Sequence, residues 1–190
     1  MLTTPFETSH KLQAHLGAGE SLLWAGRPKQ GFVLRGSDAF LIPFSLLWCG
    51  FAVFWEYSAY SSGAPLFFLL FGGIFVVIGL YFVFGRWIED SLVRRNTYYG
   101  VTEDRVLIHT EFPTTRTKSL QLDTISDITL TSGSGGFGTI SLGPQHPMAS
   151  MMSGWNWPGM SAYQSPQLEM ITDAKSVFDL IQRNRRNTRG

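Results

Sequence analysis

The sequence has almost no cysteine, almost no net charge and no cluster of metal-binding side chains, and each shortage excludes a class of function. Its one cysteine, Cys49, lies inside an apolar run, so neither a disulfide framework nor a cysteine metal site is available. Fifteen Lys and Arg against 14 Asp and Glu leave a formal charge of +1. The basic excess of a nucleic-acid binder is missing. His10, His15, His109 and His146 are scattered, and the spacing of the first two fits neither one helix face nor a zinc motif. No GxSxG, HExxH or CxxC occurs. The polar start, MLTTPFETSHKLQ, has no basic lead into an apolar core and cleavage site, so no cleaved signal peptide is expected.

Charge is also missing from two long stretches, 39–55 and 66–85. The mean hydropathy of +0.06 averages over this segregation. Ala39 to Tyr57 (AFLIPFSLLWCGFAVFWEY) and Leu66 to Phe84 (LFFLLFGGIFVVIGLYFVF) are 19 residues each. As helices they would be about 28 Å long, close to the hydrocarbon thickness of a bilayer. The spacing predicts a transmembrane hairpin over 39–85, with spans 39–57 and 66–85. SAYSSGAP (58–65) is too short to be anything but a turn, so the helices run antiparallel. Ser37 or Asp38 is the expected cap of the first helix, and Pro43 falls near its first turn, where a missing N–H costs least. Gly72 and Gly79 share one face of the second span, and Ser45 and Cys49 one face of the first. Small residues so placed mark close helix approach.

Lys11, Arg27, Lys29 and Arg35 precede the first span, Arg86, Arg94 and Arg95 follow the second, and the connecting loop has no Lys or Arg. The positive-inside rule then predicts both termini in the cytoplasm. Trp55, Tyr57 and Tyr60 would mark the outer interface, Phe40 and Trp87 the inner one.

The remainder reads as β-rich. TYYGVT (97–102) and RVLIHT (105–110) flank the two-residue turn Glu103-Asp104. RTKSLQL (116–122), ISDITLT (125–131), TISLG (139–143) and QLEMI (167–171) follow. SGSGGFG (132–138) leads into a strand and lacks the GK[ST] ending of a phosphate loop, so it reads as a tight hairpin. Thr172 or Asp173 would cap a last helix in which Ala174, Val177, Phe178 and Ile181 form one apolar stripe. SLLWAG (21–26), before the membrane, is expected to join the sheet, which makes about seven strands. The fold class is thus an α+β membrane protein: segment 1–38, hairpin 39–85, and a cytoplasmic domain over 86–190.

Several stretches carry a resemblance. GESLLWAGRPKQG (19–31), the first span with its preceding Asp38, GLYFVFGRWIEDSLVRRNTYYGVTEDRVLI (79–108), SLQLDTISDITL (119–130), GFGTISLG (136–143) and MITDAKSVFDLI (170–181) resemble a bacterial family of PH-domain-containing membrane proteins. The resemblance runs from about Gly17 to Ile181. It implies a pleckstrin-homology-like bent antiparallel sheet with a C-terminal helix, anchored at the inner membrane and facing the cytoplasm. It implies no known activity.

Arg86, Arg94 and Arg95 are candidates for contact with lipid head groups, or fix orientation only. Arg86, Asp90 and Arg94 also have the spacing of a helical ion ladder, with Arg86–Asp90 as its expected pair. The loop MASMMSGWNWPGMSAY (148–163) concentrates Met151, Met152, Trp155, Trp157, Met160 and Tyr163. It is either a partner contact or a flap completing the core. The expected function is a non-enzymatic, cofactor-free interaction module that binds a protein or lipid head groups. Its expected partners are the bilayer and another membrane protein or a second copy, with no nucleic acid and no small-molecule substrate. The rival is a small subunit of an oligomeric pore or transporter, although no Asp, Glu, Lys, Arg or His precedes Glu56 in the first span.

Overall fold

The computed structural model describes residues 5–133, 136–144 and 165–189. The two charge-free stretches fold as helices: α2 spans Asp38–Ser61, and α3 (Leu66–Leu80) continues through a π-helical turn, Tyr81–Gly85, into α4 (Arg86–Arg95). Both rods, of 24 and 30 residues, are long and apolar enough to cross a membrane. The second is about 45 Å long at 1.5 Å per residue, so it outruns the roughly 30 Å hydrocarbon layer. Helix therefore continues past the expected end of the span at residue 85, into the stretch assigned to the soluble domain. Large side chains such as Leu47, Phe54, Phe67, Leu70 and Val77 point outward.

The helices touch where side chains are smallest. Gly72 and Gly79 are the buried residues of α3, and Ser45 is buried on α2. A Cβ on Gly79 would stand 3.0 Å from Cys49 Cα and 3.1 Å from its Cβ. Those atoms cannot rotate away. Gly79→Val is expected to cost about 1–3 kcal/mol in overpacking, read from unfolding in mixed micelles. The same change at Gly73, which meets nothing within 4 Å, should cost far less. Equal losses would place the contact elsewhere.

Strand β1 (Leu22–Gly26) precedes the hairpin and pairs antiparallel with β2 (Thr97–Thr102), which follows it; Trp24 faces Val101 and Ala25 faces Gly100. The hairpin is therefore an insertion between two hydrogen-bonded neighbours. Strands β3 (Arg105–Thr110) and β4 (Arg116–Gln121) complete a sheet of order β1-β2-β3-β4. A second sheet holds β5 (Ile128–Ser132), β6 (Phe137–Leu142) and β7 (Gln167–Thr172) in sequence order. Among the described residues seven strands thus divide into sheets of four and three, where a single bent sheet was expected. The break falls at residues 122–127, whose Leu122 and Ile125 turn into the core instead of joining a ladder.

One core joins both sheets to the last helix, α5 (Ala174–Arg189). Tyr99, Val101 and Val106 meet Ile140, Leu142, Leu168 and Ile171, with Ala174, Val177 and Ile181 of α5 lying across them. The apolar stripe falls where the spacing puts it, and Phe178 packs partly buried beside it. The expected caps differ. Asp173 sits at φ 55°, outside the extended geometry of a side-chain N-cap. Ser37 makes no capping hydrogen bond, and Asp38 is engaged elsewhere.

A short helix absent from the sequence reading, α1 (Pro5–Gln13), covers the outer face of the four-stranded sheet. Leu12 is buried against Tyr98 and Leu107, with Leu16, Leu22 and Ala25 around it. A Cβ on Gly100 would come within 3.0 Å of both Leu12 and Leu22 side chains, so glycine there lets the helix sit down. PFETSHKLQ is too polar to announce such a face.

Glu20, in the turn before β1, accepts from Arg105 Nε at 2.7 Å and from Gly17 N at 2.7 Å. The Arg105 hydrogen bond, aided by Gly17 and opposed by desolvation, lowers its carboxyl from 4.5 to about 2. A depressed carboxyl stabilises the fold above its unfolded pKa, and that contribution is lost as pH falls from about 4.5 toward 2. Denaturant midpoints measured from pH 5 to pH 2 should therefore drop less steeply in Glu20→Gln than in the native chain. Parallel curves would show that the pair contributes nothing.

Candidate functional site: a charge clamp at the helix ends

The helix ends nearest the sheets bring together three stretches distant in sequence: the 27–38 approach to α2, helix α4, and Glu169 of β7. Asp38 at the start of α2 meets Arg86 at the start of α4, Nη1 to Oδ1, at 3.1 Å. Arg86 also stacks on Trp87, its guanidinium carbon 4.3 Å from the ring centroid. The Asp38 carboxylate additionally accepts the Arg35 backbone N–H at 2.6 Å.

One turn further along, Asp90 takes two arginines. Its Oδ2 accepts from Arg94 Nε at 2.9 Å and lies 2.7 Å from Arg94 Nη2. Its Oδ1 accepts from Arg35 Nη2 at 2.9 Å, and Arg35 reaches Glu169 at 3.3 Å. The expected Arg86–Asp90 pair is therefore replaced. Asp38 lies opposite Arg86 across the helix pair, and Asp90 is spent on Arg94 and Arg35. Burial disfavours the Arg35 charge, but Glu169 and Asp90 more than offset this and raise its pKa.

Arg94 is 4% exposed. It donates to the backbone carbonyls of Lys29 at 2.5 Å and Gly31 at 2.7 Å. Gln30 Nε2 donates in return to the Arg94 carbonyl at 3.1 Å, and Arg27 donates to the Arg95 carbonyl. Beneath the cluster, Tyr99 OH accepts from Glu169 N at 3.2 Å. Burial first, then the Glu169 charge, raises the Tyr99 pKa, so it stays a phenol. Three arginines and three carboxylates thus neutralise one another and bolt α4 to the segment before α2 and to β7.

Of the three arginines singled out from sequence, Arg94 points inward, Arg86 is paired with Asp38, and Arg95 is exposed at the end of α4. Met151, Met152, Trp155, Trp157, Met160 and Tyr163 lie outside the described residues. Arg35, Asp38 and Glu169 were missed as members of the cluster. Only their charge, next to or far from an apolar run, could have flagged them.

A second polar cluster ties α1 to β3. The His15 and His109 rings lie 4.4 Å apart. His109 Nδ1 is 2.9 Å from Thr117 Oγ1, and Lys11 donates to Glu111 at 2.6 Å. Burial, reinforced by His15 and opposed by Glu111, pushes the His109 pKa below 6.5. Among the described residues no group of three or more His, Cys, Asp or Glu is placed to hold a metal ion. No family model, curated protein or solved structure matches this chain.

Proposed function

We propose that the chain is a membrane-anchored, PH-like interaction module of a bacterial inner membrane, facing the cytoplasm, that binds a protein partner or lipid head groups. The observation that carries this reading is the insertion of an apolar helical hairpin between β1 and β2. A tether needs only one attachment to a domain. Here both helices leave the same sheet, and the Arg35–Asp90–Arg94 network ties the segment before α2 to α4 and, through Glu169, to β7 of the other sheet. The unit is thereby held in one orientation against the bilayer, which favours presenting a surface over reaching for a distant one. The four-plus-three strands with α5 across them are in keeping with a PH-like fold. Exposed Arg95 is the arginine left available for a lipid phosphate. Photo-crosslinking in native membranes from Arg95 and from the 144–166 loop tests the proposal. A recurrent protein or lipid adduct supports it; adducts with bulk lipid alone at both places would remove it.

A pore or transporter subunit is the second reading, favoured by Glu56. Its Oε2 is buried without a hydrogen-bond partner among the described residues, against Gly72. Solute flux in proteoliposomes that vanishes in Glu56→Gln would establish that role.

A further inference from the structure

Beside the charge clamp, the chain exposes apolar side chains that lie outside the two charge-free stretches 39–55 and 66–85. Phe32 is 66% exposed and Leu34 60%, while Val33 between them is buried and pins the segment to the protein. Ile88 on α4 is 62% exposed. The Phe32 ring stacks on Trp87 with centroids 4.4 Å apart, so the two segments form one surface.

The position of this surface along the helices is fixed by contacts. The Asp38–Arg86 pair joins the starts of α2 and α4. Trp87 and Ile88 come directly after Arg86, within about 3 Å along the axis. Phe40 and Phe84, both exposed, stand near Asp38 and Arg86 on the two rods that this pair brings together. The level of the surface is that of the boundary between acyl chains and head groups, where aromatic and aliphatic side chains collect.

We propose that Phe32, Leu34 and Ile88, backed by Trp87, form a shelf that seats in the head-group–acyl boundary of the cytoplasmic leaflet. The occupant of this surface is lipid. The shelf's exposed position on α4, beside the end of α2, favours it, and so does the neighbouring charge. Arg35, Arg86 and Arg94 are matched by Asp38, Asp90 and Glu169, so no unpaired guanidinium of the clamp competes to keep the shelf in water. The shelf adds a third attachment to the two helices and fixes the tilt of the sheets over the bilayer. Because the clamp is neutral, seating does not require anionic lipid. This inference rests on the membrane-anchored reading.

Nitroxide labels on single cysteines test it, in full-length Cys49→Ala protein reconstituted in phosphatidylcholine vesicles. Labels at Phe32→Cys, Leu34→Cys and Ile88→Cys are read by collision with oxygen and with a water-soluble nickel chelate. Leu70→Cys, exposed on α3, serves as the lipid reference, and Lys118→Cys on β4 as the aqueous one. The expected result is oxygen collision dominating at 32, 34 and 88, with depths of about 5–10 Å, and no change on adding phosphatidylglycerol. Aqueous signals at all three with Leu70→Cys in lipid would overturn the shelf and leave the anchored reading standing. An aqueous Leu70→Cys would overturn both. Labels shielded from both reagents would mean a protein covers the surface, which also overturns the proposal.

Discussion

Replacing Arg94 by alanine is expected to cost about 3–5 kcal/mol, the range for breaking a buried ion pair by removing one partner. The loss has three sources on the same side chain. Asp90 loses its two-nitrogen partner and keeps only Arg35. The carbonyls of Lys29 and Gly31 lose their donor in a part-buried site. The approach to α2 loses its attachment to α4. Arg94→Lys should recover little, since one ammonium cannot span a carboxylate and two carbonyls as the guanidinium fork does. Denaturant unfolding in detergent micelles, followed by tryptophan fluorescence, measures both. A loss near 1 kcal/mol for Arg94→Ala would mean that the clamp is solvated and contributes like a surface pair.

Ile181→Ala should be nearly as severe, at about 2–5 kcal/mol. Ile181 is fully buried on α5, in the one core that contains residues of both sheets. No ladder joins β4 to β5, so side-chain packing, with the Glu169 N to Tyr99 OH hydrogen bond, holds the two sheets together. A cavity at Ile181 weakens that junction. Proteolysis between residues 122 and 127 should accelerate along with the drop in unfolding midpoint. Leu23→Ala, at an exposed position on β1, should change neither. Equal effects at the two positions would show that α5 is peripheral.

The sequence made some of this legible and hid the rest, for identifiable reasons. Two runs without charge leave only a helical answer, and both helices form where those runs lie. The period-3.6 stripe from Ala174 to Ile181 is similarly unambiguous, because each of its members has only one direction to face. Strand pairing is a matter of long-range contact, and nothing in SLLWAG or TYYGVT names the other as its neighbour. The division into two sheets turns on Leu122 and Ile125 pointing inward, which reads in sequence as one more stretch of alternating residues. Helix α1 was missed because its described residues bury only Thr8 and Leu12, too few apolar positions to show a face in the sequence. The clamp was half visible. Arg86, Asp90 and Arg94 stand at helical spacing, but the choice between Arg86 and Arg35 as partner of Asp90 depends on how the 27–38 segment returns to the helix ends. The Met- and Trp-rich loop lies outside the described residues.

The central claim is that an apolar hairpin interrupts a soluble unit whose parts on either side of it share one face of the membrane. Labelling with a membrane-impermeant maleimide tests this most directly, with single cysteines at Glu7, Ser62 and Lys118 in a Cys49→Ala background. In sealed cells Ser62→Cys should react at once, while Glu7→Cys and Lys118→Cys should react only after lysis. Glu7→Cys and Lys118→Cys reacting from opposite sides would contradict the account, because β1 and β2 could not then lie in one sheet.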